Sequence, residues 1–178
     1  MVSIQRVSSA EIYANPWMTL REDKIVRSDG SAGIYSVVDK PDGVIVIPRE
    51  DGRLFLVEQF RYAVNARRWE FPAGTAPDRQ HMPAPALAAR ELSEETGLRS
   101  GRLTQIGIVD VAPGFSSQQQ AVFLAEDLIA GATAREHEEQ DMDGKWWSGD
   151  EVWTAVARGE ICDAQTLAAL TLLRVHDQ

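Results

Sequence analysis

The chain has 178 residues, 44% of them hydrophobic, and a formal charge of −9. That length suits one domain, or one domain with a modest extension, and allows a substantial core. The acidic balance argues against a nucleic-acid polymer or an anionic membrane as partner, because no basic field offsets phosphate repulsion, yet a small diphosphate neutralised by a cation and a few arginines is not excluded.

The N-terminus, MVSIQRVSSAEIY, has no apolar run of the kind a signal peptide carries. Residues 11–40 read as short strands joined by turns. Residues 18–25 alternate, Ser28-Asp29-Gly30-Ser31 is a hairpin turn, and residues 33–38 return. Trp17, just after Asn15-Pro16, reads first as a core or interface aromatic, with ligand stacking as the alternative. Asp42-Gly43 then leads into Val44-Ile45-Val46-Ile47, an all-aliphatic strand expected to be buried on both faces and far too short to span a bilayer. Residues 50–53 turn the chain and residues 54–59 pair back. Residues 60–70, FRYAVNARRWE, concentrate three arginines and three aromatics in an acidic chain. A solvated loop and a diphosphate clamp, with guanidinium donors matched to phosphate oxygens, are both open readings.

Phe71-Pro72-Ala73-Gly74 reads as a turn that brings backbone close to a following helix. Pro83 and Pro85 suit that helix's first turn, residues 86–92 are strong helix formers, and Gly97 stands where a left-handed terminator belongs. On it Glu91, Glu94 and Glu95 are spaced i, i+3 and i+4, so all three project from one face. Arg90 can reach Glu94, but one arginine leaves the other two charges uncompensated. A hard divalent cation would resolve the conflict, whereas a solvated acidic face is the bland alternative.

Beyond the helix, residues 103–111 form a β-branched strand, Pro113-Gly114-Phe115-Ser116-Ser117-Gln118 a loop, and residues 121–125 another strand. The run Arg135-Glu136-His137-Glu138-Glu139-Gln140-Asp141 reads as a wet loop. Lys145-Trp146-Trp147-Ser148 is a strand with its tryptophans in the core, and Ser148 or Asp150 begins a helix that Gly159 ends. Cys162 is the only cysteine, so no intrachain disulfide can form, and a reducing cytoplasm is the expected compartment. Asp163 caps a last helix from residue 164 to about 174, whose buried stripe is Leu167, Leu170 and Leu173. No repeat or linker suggests a second independent domain.

The run Arg90-Glu91-Leu92-x-Glu94-Glu95-x-Gly97-Leu98 resembles the box of the Nudix hydrolases, and residues 58–74 with the Pro113 loop resemble its ADP-ribose pyrophosphatase subgroup. The resemblance implies an α+β fold, the Nudix α/β/α sandwich with a mixed sheet, over residues 41–178. It also implies an N-terminal antiparallel β extension over residues 1–40 that joins two chains into a homodimer. Carried over by position, Glu91, Glu94, Glu95 and the Ala73 carbonyl would hold Mg2+ or Mn2+, while Arg90 and Gly74 would be structural. Arg61, Arg67, Arg68, Gly114, Phe115, Ser116 and Trp17 would meet a nucleoside diphosphate derivative.

Two positions depart from the family pattern. Fifteen residues separate Gly74 from Arg90, a longer interval than usual, and Met82 stands where the loop normally has a glutamate. Gln118 replaces the glutamate that ends the Pro113 motif, and an amide cannot act as a general base. Glu138 or Glu139 is the expected substitute. The implied reaction is metal-assisted hydrolysis of a nucleoside diphosphate sugar, first of all ADP-ribose to AMP and ribose 5-phosphate. The alternatives are another Nudix substrate (GDP-mannose, another sugar nucleotide, a dinucleotide) or a non-catalytic module that keeps the fold.

Overall fold

A computed structural model describes residues 4–76, 82–133 and 141–178. Two sheets organise it. The first is an antiparallel meander of β1 (Ile4–Ala14), β2 (Thr19–Arg27) and β3 (Ala32–Asp39). Its first strand, exposed along its whole length, begins well before residue 11, where the residue pattern first suggests strands, and lies within the β extension that the resemblance implies. Pairing with β2 from Ile4↔Arg27 to Ala14↔Thr19 holds it, rather than burial. Asn15 fixes the bend between them, its Oδ1 accepting from the backbone N–H of Trp17 and Met18. Trp17 itself is 67% exposed, which removes the core half of the core-or-interface reading.

The second sheet is mixed. Its main order is β10 (Asp143–Ser148), β5 (Arg53–Arg61), β4 (Gly43–Glu50), β9 (Gln119–Ala130), β8 (Leu98–Asp110), with β6 (Ala66–Glu70) on β5 and β7 (Ala73–Thr75) on β4. Only β4 and β9 run parallel. Residues 60–70 are therefore not a loop. They complete β5, make a short 3-10 turn over Tyr62–Val64 closed by left-handed Asn65, and return as β6.

β4 behaves as its composition demands. Val44 and Val46 face one hydrophobic cluster with Leu87, Ala88 and Leu92 of α1 (Ala84–Thr96), while Ile45 and Ile47 face the other. That second cluster includes Val152 and Ala155 of α2 (Gly149–Ala157) and Ala169, Leu170 and Leu173 of α3 (Ala164–His176). The result is a helix layer on each side of one sheet. Ser148 and Glu151 close a reciprocal capping box on α2. Trp69 and Trp147 pack edge to face at 5.0 Å, with Lys145 Nζ 3.8 Å from the Trp147 ring centre. No helix among the described residues is long and apolar enough to cross a membrane.

One feature of the sheet positions the site. β4 pairs with β5 only where Arg49 and Glu50 meet Leu54 and Arg53. It then leaves β5 and takes up β7 at Gly43–Ile45. The sheet divides there, and a cleft opens at the divide.

Candidate active site

The cleft has a volume of about 570 Å3. Arg61 and Glu70 line one side of it, Ala73, Gly74 and Thr75 the middle, and Lys40, Gln118 and Gln120 the other, with the start of α3 forming a wall. That wall is set locally. The Asp163 carboxylate accepts from the Thr166 N–H, and the buried Thr166 hydroxyl accepts from the Phe71 N–H at 3.1 Å.

α1 brings the glutamates to this region from the opposite face of the sheet. It ends at Gly97, left-handed at φ 72°. Glu95 is fully buried and Glu91 nearly so, whereas Glu94 is half-buried and takes an ion pair from Arg90 at 2.8 Å. The Glu91 carboxylate lies against the backbone of Gly74, where a Cβ would collide with it. Among the described residues no three carboxylate, imidazole or thiol groups stand close enough to hold a metal ion, in keeping with Glu94's engagement by Arg90. Glu91 and Glu95 are nevertheless hard oxygen donors on one buried helix face, and Glu91 lies against the Gly74 backbone that follows Ala73. That donor chemistry suits Mg2+ or Mn2+ and fits the cation expected there.

Arg61 is the cationic centre of the cleft. It makes a two-pronged contact with Glu70, at 3.0 Å from Nε and 2.5 Å from Nη2. Burial works against its charge, but the bonds to Glu70 outweigh burial, and the fields of Glu95 and Asp163 add to them, so its pKa lies above the ordinary arginine value. Arg68 also lines the cleft. Arg67 does not: its guanidinium is engaged by Glu58 and Asp141, both at 2.8 Å, so it clamps β5 to the segment before β10 instead of facing the cleft.

The Pro113 loop is likewise spent elsewhere. The Gly114 carbonyl accepts from the Tyr35 hydroxyl, the Phe115 carbonyl accepts from the Val38 N–H, and the Ser116 hydroxyl donates to the Val38 carbonyl. These bonds dock the N-terminal sheet, and neither these three residues nor Trp17 lines the cleft. Gln118, at the end of the loop, donates from Nε2 to the Pro41 carbonyl at 2.8 Å. Glu138 and Glu139 lie outside the described residues, as do His137, Asp78 and His81. Lys40, Thr75 and Gln120 were not anticipated as cleft residues. Thr75 follows the Gly74 turn and Gln120 the Pro113 loop, and register through Gly43 brings those two together, while Lys40 lies in the link between β3 and β4.

The sheet thus carries helices on both sides, and buried glutamates of one helix meet the glycine turn that lines the cleft. The NUDIX domain family matches residues 39–170, and the nucleoside diphosphate sugar hydrolase N-terminal domain matches residues 4–38. The chain belongs to the NUDIX family and is a Nudix pyrophosphohydrolase. It is 33% identical to an ADP-ribose pyrophosphatase of Mycobacterium tuberculosis over 97% of this chain and 83% of that one. It is 28% identical to an ADP-ribose pyrophosphatase of Bacillus subtilis, over 96% and 92%. The crystal structure of an ADP compounds hydrolase superposes with a TM-score of 0.84, covering 97% of this chain and 92% of that one at 19% identity, and so shares the fold.

Proposed function

We propose that the protein hydrolyses the diphosphate bond of ADP-ribose, giving AMP and ribose 5-phosphate, with Mg2+ or Mn2+ as cofactor. The single observation that carries the reading is the cleft where Arg61 sits between Glu70 and the field of buried Glu95. It supports a fixed cation within the field of Glu95, one of the carboxylates that would hold a metal. The similarity to ADP-ribose pyrophosphatases along nearly the whole chain supports the substrate.

Glu91, Glu95 and the Ala73 carbonyl would hold the metal, which when bound supplies positive charge against the diphosphate and acidifies the attacking water. Arg61, kept charged by Glu70, binds and orients the diphosphate, and Arg68 adds charge at the rim. Gln118 cannot take the water's proton, so the base is assigned to Glu138 or Glu139. The exposed apolar residues of the N-terminal sheet, Ile12, Tyr13 and Ile34 among them, support its assignment as the contact of a homodimer. The lone cysteine supports a reducing cytoplasmic setting.

The test is a panel of nucleoside diphosphate derivatives incubated with and without magnesium, with labelled water locating the cleaved bond. ADP-ribose should be turned over fastest, and only with metal. A Glu95→Gln variant should keep its fold and lose turnover by roughly 100-fold or more. Faster cleavage of GDP-mannose or a dinucleotide would move the assignment to that substrate. No cleavage of any compound would leave the non-catalytic reading in its place.

A further inference from the structure

Gly43 pairs with Thr75 of β7 on one side and with Gln120 of β9 on the other. Residues directly opposite on adjacent strands project from the same face, here the one on which Ile45 packs towards α3. Thr75 and Gln120 both line the cleft, and between them Gly43 has no side chain. A Cβ there would stand 2.5 Å from the Gly74 carbonyl oxygen, 3.1 Å from Thr75 Cγ2 and 3.3 Å from Gln120 Nε2. The glycine thus leaves the Gln120 amide room to lie across the strand.

Gln120 is only 6% exposed, and its Oε1 accepts no hydrogen bond among the described residues. Its neighbour Gln118, two positions back, has already committed its Nε2 to Pro41. A buried acceptor left without a donor is destabilising, and a half-turn of the amide, which exchanges Oε1 with Nε2, would bring it to a donor seated in the cleft.

We propose that Gln120 is a specificity-determining residue whose Oε1 accepts a hydrogen bond from an N–H or O–H donor of the nucleoside diphosphate sugar seated in the cleft. The inference rests on the reading of the cleft as a nucleotide-sugar site. It assigns Gln120 to recognition rather than to chemistry, since an amide neither titrates nor attacks. The donor is the amino group of the purine or a hydroxyl of one of the two riboses.

Wild type and Gln120→Met, which keeps the length of the side chain and removes its hydrogen bonding, are compared with kcat and KM read separately. The substrates are ADP-ribose, its hypoxanthine counterpart, and analogues each lacking one ribose hydroxyl. The variant is expected to lose about 10- to 100-fold in kcat/KM on ADP-ribose, chiefly through KM. One analogue should lose the same factor on wild type and nothing further on the variant, and its identity names the donor. The proposal is overturned if the variant stays within about twofold of wild type, or if every analogue loses as much on the variant as on wild type. Should Gln120→Met fail to fold, the wild-type series still decides, because equal turnover of all analogues leaves no donor for Gln120 to read. Full activity with an indifferent residue 120 sinks this inference alone. A wild type inactive on every nucleoside diphosphate sugar removes the functional reading and takes this inference with it.

Discussion

The carboxylate of Glu91 occupies the space over Gly74 that any other residue's side chain would need. Strand β7 and helix α1 are locked together at this point, and the lock holds an acidic group against the backbone of Gly74. Gly74→Ala should therefore push Glu91 aside. The expected result is a turnover at least tenfold lower, a higher magnesium concentration for half-maximal activity, and a stability loss of about 1–3 kcal/mol. A metal titration of both proteins checks it, and an unchanged metal requirement would show that Glu91 is not a ligand.

Arg61 and Glu70 are expected to behave as one unit. Arg61→Lys keeps the charge but cannot make the two-pronged contact, so it should resemble Arg61→Ala more than wild type. Both should raise KM for ADP-ribose by roughly 10-fold or more, on the scale of a lost charge-assisted hydrogen bond. The arginine's raised pKa means that its contribution is present at all pH values below the ordinary arginine range and is lost only above it. No alkaline limb in a working pH profile should belong to it. A KM series across pH, run on the three proteins, would expose either error.

The N-terminal sheet should loosen in acid. Partial burial opposes the charge of Asp39, but the Ser117 hydroxyl and Arg21 bond to it and together hold its pKa below the usual carboxylate value of 3.8. A carboxylate depressed in the folded state stabilises above its unfolded pKa, and the contribution disappears as the pH falls through the folded value. Asp39→Asn should thus be less stable than wild type at neutral pH, and the difference should shrink as the pH falls through 3.8 and vanish once it is below the lower, folded value. Denaturant titrations at both ends of the range test this, and a constant gap between the two proteins would refute the linkage.

Gln118→Glu restores the residue found in the family motif, yet it should not raise activity. The amide's Nε2 donates to the Pro41 carbonyl, and a carboxylate there would face that carbonyl with no proton to give. The expected cost is about 1–3 kcal/mol of stability, with turnover at or below that of wild type. A rise in kcat with an acidic limb near a carboxylate pKa would instead make this position the base.

Much of the fold was legible because burial writes itself into composition. Val44 to Ile47 announced a strand buried on both faces, and Gly97, Ser148 and Asp163 marked helix boundaries that the structure reproduces with a left-handed glycine and two side-chain caps. β1 was illegible for the opposite reason. A strand held by its pairing with β2, with every side chain exposed, has no apolar alternation to show. At the site, the acidic helix could be read because its spacing is local. The assignment of Arg67 to the diphosphate could not be checked from sequence, since a guanidinium that answers Glu58 and Asp141 looks the same as one that answers phosphate. Gln120 enters the cleft through register across strands far apart in the chain, and Lys40 from the link between β3 and β4, which no local pattern encodes.

The packing of Lys145 against Trp69 and Trp147 has an optical consequence. Five tryptophans share this chain, but their surroundings differ, with Trp17 largely in water at the N-terminal bend and Trp147 enclosed. A water-borne quencher such as acrylamide would extinguish the red-shifted emission of Trp17 first and reach the blue-shifted light of the stacked pair last. Since Trp69 adjoins Glu70 on the rim, the late-quenched component doubles as an internal lamp for events in the cleft, with no dye attached.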